Sequence, residues 1–422
     1  MKSALVCLLT FALADLTWAQ WPEFRGPSRD GTVNSTALPI EWSEEKNIVW
    51  KTPLHGLGHS TPVIEDGKIW LTTATEDGRR MSVLCLDDDT GEVLLDRVYI
   101  TNDNPEPLSN PVNTYASCSA AVEDGRVYIH FGSYGTFCLD TDTFEKLWQR
   151  RDIRCSHWRG PASSVALWSN KIILTLEGAD QQYFLALDKE TGDTLWRRDR
   201  STNYNDETDG IPANSGDMRK GFSTPIFVPV GNTIQMISNG GKASWAYDVE
   251  TGDEIWSITY DTHSPSSRPI YNSETSLVYL NSGLGKPEIW AVKLDPEAQG
   301  DVSESHVAWK IFQRTPKYSS PVIANGLLFM ANQGIVSALD AASGEVAWAD
   351  RAGGEYSASL LATPELVYFF DQDGLCTVIK ASREMEIISE NHLAEGMMAS
   401  PAVSGDALII RTRSHLYKIS DQ

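Results

Sequence analysis

Basic and aromatic side chains recur in this chain at one kind of place, the few residues ahead of a short run carrying Ser/Thr-x-Pro or a small-residue variant of it. Histidines stand there at His55, His59, His157 and His263, rings at Tyr115, Trp158, Tyr318 and Tyr356, and cations at Arg159, Arg219, Lys220, Arg268 and Lys317. Guanidinium and ammonium groups beside stacking rings suit an anionic or sugar-like small ligand. The same side chains can instead fill a funnel mouth and satisfy loop carbonyls, and both readings stay open. No catalytic set is complete, because the sequence holds no His-Glu-x-x-His, no Gly-x-Ser-x-Gly and no Gly-x-x-x-x-Gly-Lys-Ser/Thr. The catalytic residues and metal ligands, if there are any, are therefore unassigned.

The elements that position these residues are repeats. Tyr318 to Arg351 reads as one complete copy: Ser320 to Ala324, Leu327 to Asn332, Ile335 to Leu339 and Glu345 to Asp350 are four short β runs. Asn325-Gly326, a pair suited to positive φ, joins the first two. Such a meander is apolar on both faces and needs neighbours. First strands recur at Pro62, Ala120, Ser164, Pro225, Pro269, Pro321, Ser359 and Pro401, and the third-to-fourth connection recurs as small-Leu-Asp, Thr/Ser-Gly-Glu/Asp, then Trp. Leu95 and Ile388 stand where other copies place Trp. The eighth copy lacks a fourth strand, whereas Asn47 to Thr52 is a fourth strand, with Trp50, that lacks its first three. The fold expected is all-β, an eight-bladed β-propeller of four-stranded antiparallel blades, closed by an N-terminal strand that completes the last blade and leaves no open edge.

Residues 1–19 read as a secretory signal, with Lys2, an apolar run and Thr17-Trp18-Ala19 before Gln20. This implies a secreted or periplasmic protein with no membrane span in the mature chain. Residues 20–46 then form an N-terminal strap and 47–422 a single propeller domain. Trp21 to Gly31, WPEFRGPSRDG, is expected to pack as an irregular strap over an outer surface. A net charge of −22 argues against nucleic acid as a partner. Cys85, Cys138 and Cys376 take small-hydrophobe places in the repeat, which leaves Cys118 and Cys155, near the entrances of neighbouring blades, as the pair an oxidising compartment would permit to join. Acidic loop residues in 101–113 and 201–220 could bind calcium but lack the spacing of a calcium loop.

Ala186 to Trp196 and Ala338 to Trp348, of the form Ala-Leu-Asp-x-x-Thr/Ser-Gly-x-x-x-Trp, resemble the repeat of pyrroloquinoline-quinone-type β-propellers, and WPEFRGPSRDG ahead of the Trp50 strand resembles the opening of secreted bacterial members. The resemblance covers essentially the whole mature chain. It implies that Trp50, Trp148, Trp196, Trp256, Trp309 and Trp348 dock against the adjacent blade, and that Asp87, Asp140, Asp188, Asp248 and Asp340 cap their own turns. Dehydrogenases of this fold clamp the quinone with a Trp and, in one group, with a disulfide of adjacent cysteines; this chain has no Cys-Cys pair and no Cys-x-x-Cys-His. Three functions compete. The first is a noncatalytic binding or protein-interaction scaffold, the second an oxidoreductase of alcohols or sugars using pyrroloquinoline quinone and calcium, and the third a polysaccharide hydrolase or lyase, for which few channel carboxylates present themselves.

Overall fold

A repeat whose strands alternate around two-residue turns can satisfy its backbone only as a meander, and eight such sheets form. The computed structural model describes residues 20–109 and 112–421, so the expected signal segment lies outside the described residues. Blades one to seven span residues 63–101, 121–150, 166–199, 226–259, 270–311, 322–351 and 361–392. Blade eight comprises Ala402–Ser404, Ala407–Arg411 and His415–Ile419, and Ile48–Pro53 pairs antiparallel with His415–Ile419 to close the ring. Asp66, Asp124, Ser169, Ser276 and Asn325 hold φ between 50° and 55° at the first hairpins.

The third-to-fourth turn is built the same way in blade after blade. In blade two Asp140 Oδ1 accepts from the Thr143 amide at 2.7 Å and the Thr143 hydroxyl at 2.9 Å, and Asp87, Asp188, Asp248 and Asp340 accept from their own turns likewise. A β-bulge follows at one register position in all of blades one to seven, as between Ala186 and Leu187, where Ala186 faces Trp196 and Leu187 faces Thr194. The skipped residue, Leu195 here and Leu94, Leu147 and Ile388 elsewhere, is left exposed on the outer strand. This corrects one assignment. Ser389, not Ile388, pairs with Val378 and occupies the tryptophan position of blade seven, because Ile388 falls on the bulge.

Four of the tryptophan rings lie over the turn glycine of the next blade. A Cβ on Gly91, Gly192, Gly252 or Gly344 would come within 2.6–2.8 Å of the ring of Trp50, Trp148, Trp196 or Trp309. The indole N–H of Trp50, Trp148, Trp309 and Trp348 donates to the next blade's turn, at Asp88, Lys189, Ala341 and Ser382, whereas that of Trp256 donates to Gln235 Oε1 within its own blade. The core is thus a circle of interfaces between blades. The largest spans blades seven, eight and one and takes in Trp21, Leu38 and Trp42.

The N-terminal strap departs from the expected outer-surface packing. It crosses the end of the channel and touches every blade. Trp21 pairs with Ile64 of blade one, and Pro22 O accepts from Val122 of blade two. Arg29 donates to Leu167 O of blade three at 3.0 Å and lies over Phe227 of blade four. Phe24 O accepts from Arg268, next to blade five, Arg25 donates to Ser320 O and Pro321 O beside blade six, and Gly31 and Val33 bond to Ala362 of blade seven. Ser35 reaches Asp406 of blade eight. The reason is chemical: a propeller channel is lined by strand carbonyls, and Arg25 and Glu23 supply groups that an outer surface would leave to water.

Candidate functional site

The face opposite the strap carries the loops that lead into each first strand. At its centre a belt of hydroxyls links the blades, each accepting from the backbone N–H of the preceding blade's counterpart: Ser119 from Thr61, Ser164 from Ser119, Thr224 from Ser164, Ser320 from Arg268, Ser359 from Ser320 and Ser400 from Ser359, at 2.9–3.1 Å. Blade five alone puts an arginine in the belt. Arg268 is buried, donates to Pro225 O, and pairs with Glu23 Oε2 of the strap at 2.9 Å.

Above the belt a chamber of about 180 Å³ is floored by Phe24 and walled by His59, Arg159 and Tyr318. It adjoins a wider chamber of about 850 Å³ that shares His59 and Tyr318 and adds Tyr115, Arg411 and Arg413. The sequence thus places four of its candidates, His59, Tyr115, Arg159 and Tyr318, on these walls. Burial, with Arg411 and Arg413 nearby, lowers the His59 imidazole to about 4. Burial raises the Tyr115 phenol, whose O–H donates to Glu106 O at 2.8 Å.

Arg159 and the remaining candidates are engaged with groups of the surrounding loops. Arg159 makes a two-point pair with Asp217, at 2.7 and 2.8 Å, and stacks on Trp158 at 4.6 Å. Lys220 lies 2.9 Å over the same indole and 3.1 Å from Asp217 Oδ1, an ion pair without hydrogen-bond alignment. Burial lowers the Lys220 ammonium to about 8 against the pull of Asp217. Burial would raise the Asp217 carboxyl, but Arg159 and Lys220 outweigh it and hold it low. Arg219 is clamped by Asp206 and Glu207. His157 is buried, with its Nδ1 lacking a partner, and its backbone N–H donates to Glu106 Oε2. His263 bonds Ser264, Tyr356 donates to Ala352 O at 2.6 Å beneath the surface, His55 faces Asp96, and Lys317 is half-buried beside Tyr318.

Cys118 and Cys155 are not joined. Each is a separate buried thiol: Cys155 Sγ turns to Gln181 O at 3.4 Å, and Cys118 faces the backbone of Gly132, with burial raising its thiol to about 12. Arg411 is what sequence reasoning missed. It ends the second strand of blade eight, outside the segments ahead of first strands, where Thr72, His130, Thr175, Asn239, Asn281, Ala331 and Phe370 occupy the matching register in the sister blades. A lone guanidinium in that series is the signal that marks it.

The fold of related dehydrogenases implies a quinone held with a divalent cation. Among the described residues no three His, Cys, Asp or Glu side chains converge as a metal site; Asp217, Glu106 and Glu23, close to the chambers, are committed to in-chain partners, and Glu76 and Glu355, which line the wider chamber, are exposed. The donor set for that group is not met.

Strand order, belt and turn chemistry define a β-propeller of the pyrroloquinoline-quinone repeat type with a blind central funnel. More particularly, a sequence profile described as outer membrane protein assembly factor BamB matches residues 137–298 and 286–414, and the chain belongs to that family. In structure it is similar to BamB from Moraxella catarrhalis, with TM-score 0.60, 12% identity, and 89% of this chain and 97% of that one covered. It is also similar to a europium-containing methanol dehydrogenase (0.66, 11%, 96% and 98%) and to the quinohemoprotein alcohol dehydrogenase ADHIIG of Pseudomonas putida HK5 (0.63, 14%, 95% and 80%). At these identities the likeness is one of fold. No curated protein matches in sequence. Among the described residues no helix is long and apolar enough to cross a membrane.

Proposed function

We propose that the chain is a noncatalytic binding propeller that works outside the cytoplasm, secreted or periplasmic, and engages a protein partner through its loop face. The observation that carries this reading is that the reactive side chains gathered there are spent on one another. Arg159 and Lys220 share Asp217, Arg219 is held by Asp206 and Glu207, and Glu106 ties Ser156 to His157. Such pairs stiffen loops into a fixed relief, which is what a docking face needs. Membership of a family described as an outer membrane protein assembly factor supports the same reading.

The competing oxidoreductase reading draws on the dehydrogenase-like fold and is tested directly. The mature protein is titrated with pyrroloquinoline quinone plus calcium, followed by calorimetry and melting temperature. No saturable heat that depends on calcium or on Trp158 and Arg159 is expected. Binding that shifts the melt and is abolished by Trp158→Ala or Arg159→Ala would overturn the scaffold reading and direct assays to alcohols and sugars.

A further inference from the structure

Among the described residues, the wider chamber contains one buried charge the chain leaves unanswered. Arg411 is 2% exposed, yet among the described residues it has no carboxylate within 4.0 Å, and burial alone acts on it, lowering it to about 9. Its Nη1 donates to Ser60 O, Ser60 Oγ and Thr72 O, all neutral. Nε has no partner, and Nη2 faces Gly58, where the missing Cβ leaves it room on the chamber wall. Two other buried arginines are answered by charge, Arg200 by Glu177 and Arg268 by Glu23, whereas Arg25 is held by backbone carbonyls of the strap and blade six, away from either chamber. A desolvated guanidinium with an open edge is costly unless something completes it.

The surroundings say what that something is. Arg413 adds a second cation at the rim, His59 offers an imidazole, and Tyr318 and Tyr115 offer rings and hydroxyls. The acidic residues of the same chamber, Glu76 and Glu355, lie exposed at its mouth rather than against Arg411. A volume of about 850 Å³ admits a compact organic molecule with more than one acidic group.

We propose that the funnel binds a small multivalent anion, bearing carboxylate or phosphate groups, with Arg411 as its buried anchor and Arg413, His59 and Tyr318 around it. Arg411 thus serves two ends, since its Nη1 also clamps blade eight to blade one. The test uses the mature full chain with citrate and inorganic phosphate as probes, at fixed ionic strength, in calorimetry and thermal melts. Both anions stabilise folded proteins generally by exclusion from the surface, so the quantity read is the difference between variants. Saturable binding of at least one probe is expected, weakened at least tenfold in Arg411→Gln, about threefold in Arg413→Gln, and unchanged in Trp158→Ala. Arg413, being exposed, supplies the answer if Arg411→Gln does not fold. Equal binding by wild type and the folded variants, or no saturable binding of either probe to wild type, overturns the proposal. Loss in Trp158→Ala instead of Arg411→Gln also overturns it and moves the site toward Arg159 and the smaller chamber. None of these outcomes bears on a protein partner at the loop face.

Discussion

The two ends of the channel use the same residue type for different purposes. At the strap end Arg25 and Arg268 are buried among carbonyls, and Arg268 and Arg29 share the Glu23 carboxylate, so the end is closed by groups that complete one another. At the loop end Arg411 is as deeply buried but keeps one edge toward an open chamber. Burial alone therefore does not mark a site. What separates Arg268 from Arg411 is that the chain supplies the counter-charge of the first, and that predicts how each responds to being changed.

The sharpest way to break the comparison is to remove one guanidinium at each end. Arg268→Met leaves Glu23 buried with half its partners and frees Phe24 O, and a loss of about 3–5 kcal/mol is expected in denaturant unfolding. Arg411→Met removes three bonds to neutral oxygens and also a desolvated charge, and a loss of no more than about 1–2 kcal/mol is expected. Equal losses would mean that Arg411 is as fully committed as Arg268, and the distinction between the ends would fall.

A smaller effect tests the rigidity of the two ends through glycine. Gly31 in the strap has φ +78°, and a Cβ there would meet Leu360 O and Arg25 Nη2 at 2.8 Å. Gly210, in the loop before blade four, has φ +76° with nothing within 4 Å. Both alanine variants bear the left-handed backbone cost, about 1 kcal/mol, while Gly31→Ala adds overpacking of about 1–3 kcal/mol. Matching melting temperatures for the two variants would show that the strap yields more easily than its contacts indicate.

How much of this was legible depends on how local the cause is. Blades, turns and the closing strand follow from short-range rules: strand alternation, Asn-Gly and Asp-Gly hairpins, and an Asp that caps a turn three residues away. Even an exception obeys them. Blade one has Leu95 in place of Trp, and blade two then carries Phe144 where Gly91, Gly192, Gly252 and Gly344 stand in four other blades, still at φ +59°, its ring edge-on to Trp70 at 5.8 Å. Without an indole to clear, the glycine is not needed. The strap's course was not legible, because most of its partners are backbone groups of the blades, which leave no mark on the sequence. The funnel was half legible: entrance loops could be found from the repeat, but which cations would be neutralised depends on how Asp206 and Asp217 of the 201–220 loop and Glu23 of the strap are placed in space. Arg411 required the register across blades.

The finest contrast between the ends is in pH. The loop end buries neutral imidazoles: burial lowers His130, bonded to Thr136 Oγ1 at 2.8 Å, to about 3, and His157 to about 4. At the strap end Arg25, lowered by burial only to about 9, keeps its charge throughout the acid range. Between pH 6.5 and about 4 the unfolded chain takes up protons on these histidines that the folded chain refuses. Their contribution to stability is therefore complete above pH 6.5 and is lost as pH falls, at up to about 1.4 kcal/mol per unit for each histidine. Melting temperatures at pH 7, 6 and 5 are expected to fall in wild type and to fall less steeply in the His130→Gln/His157→Gln double variant. A slope unchanged also when His59→Gln is added would place the acid sensitivity in carboxylates, and the loop end would then titrate no differently from the rest of the ring.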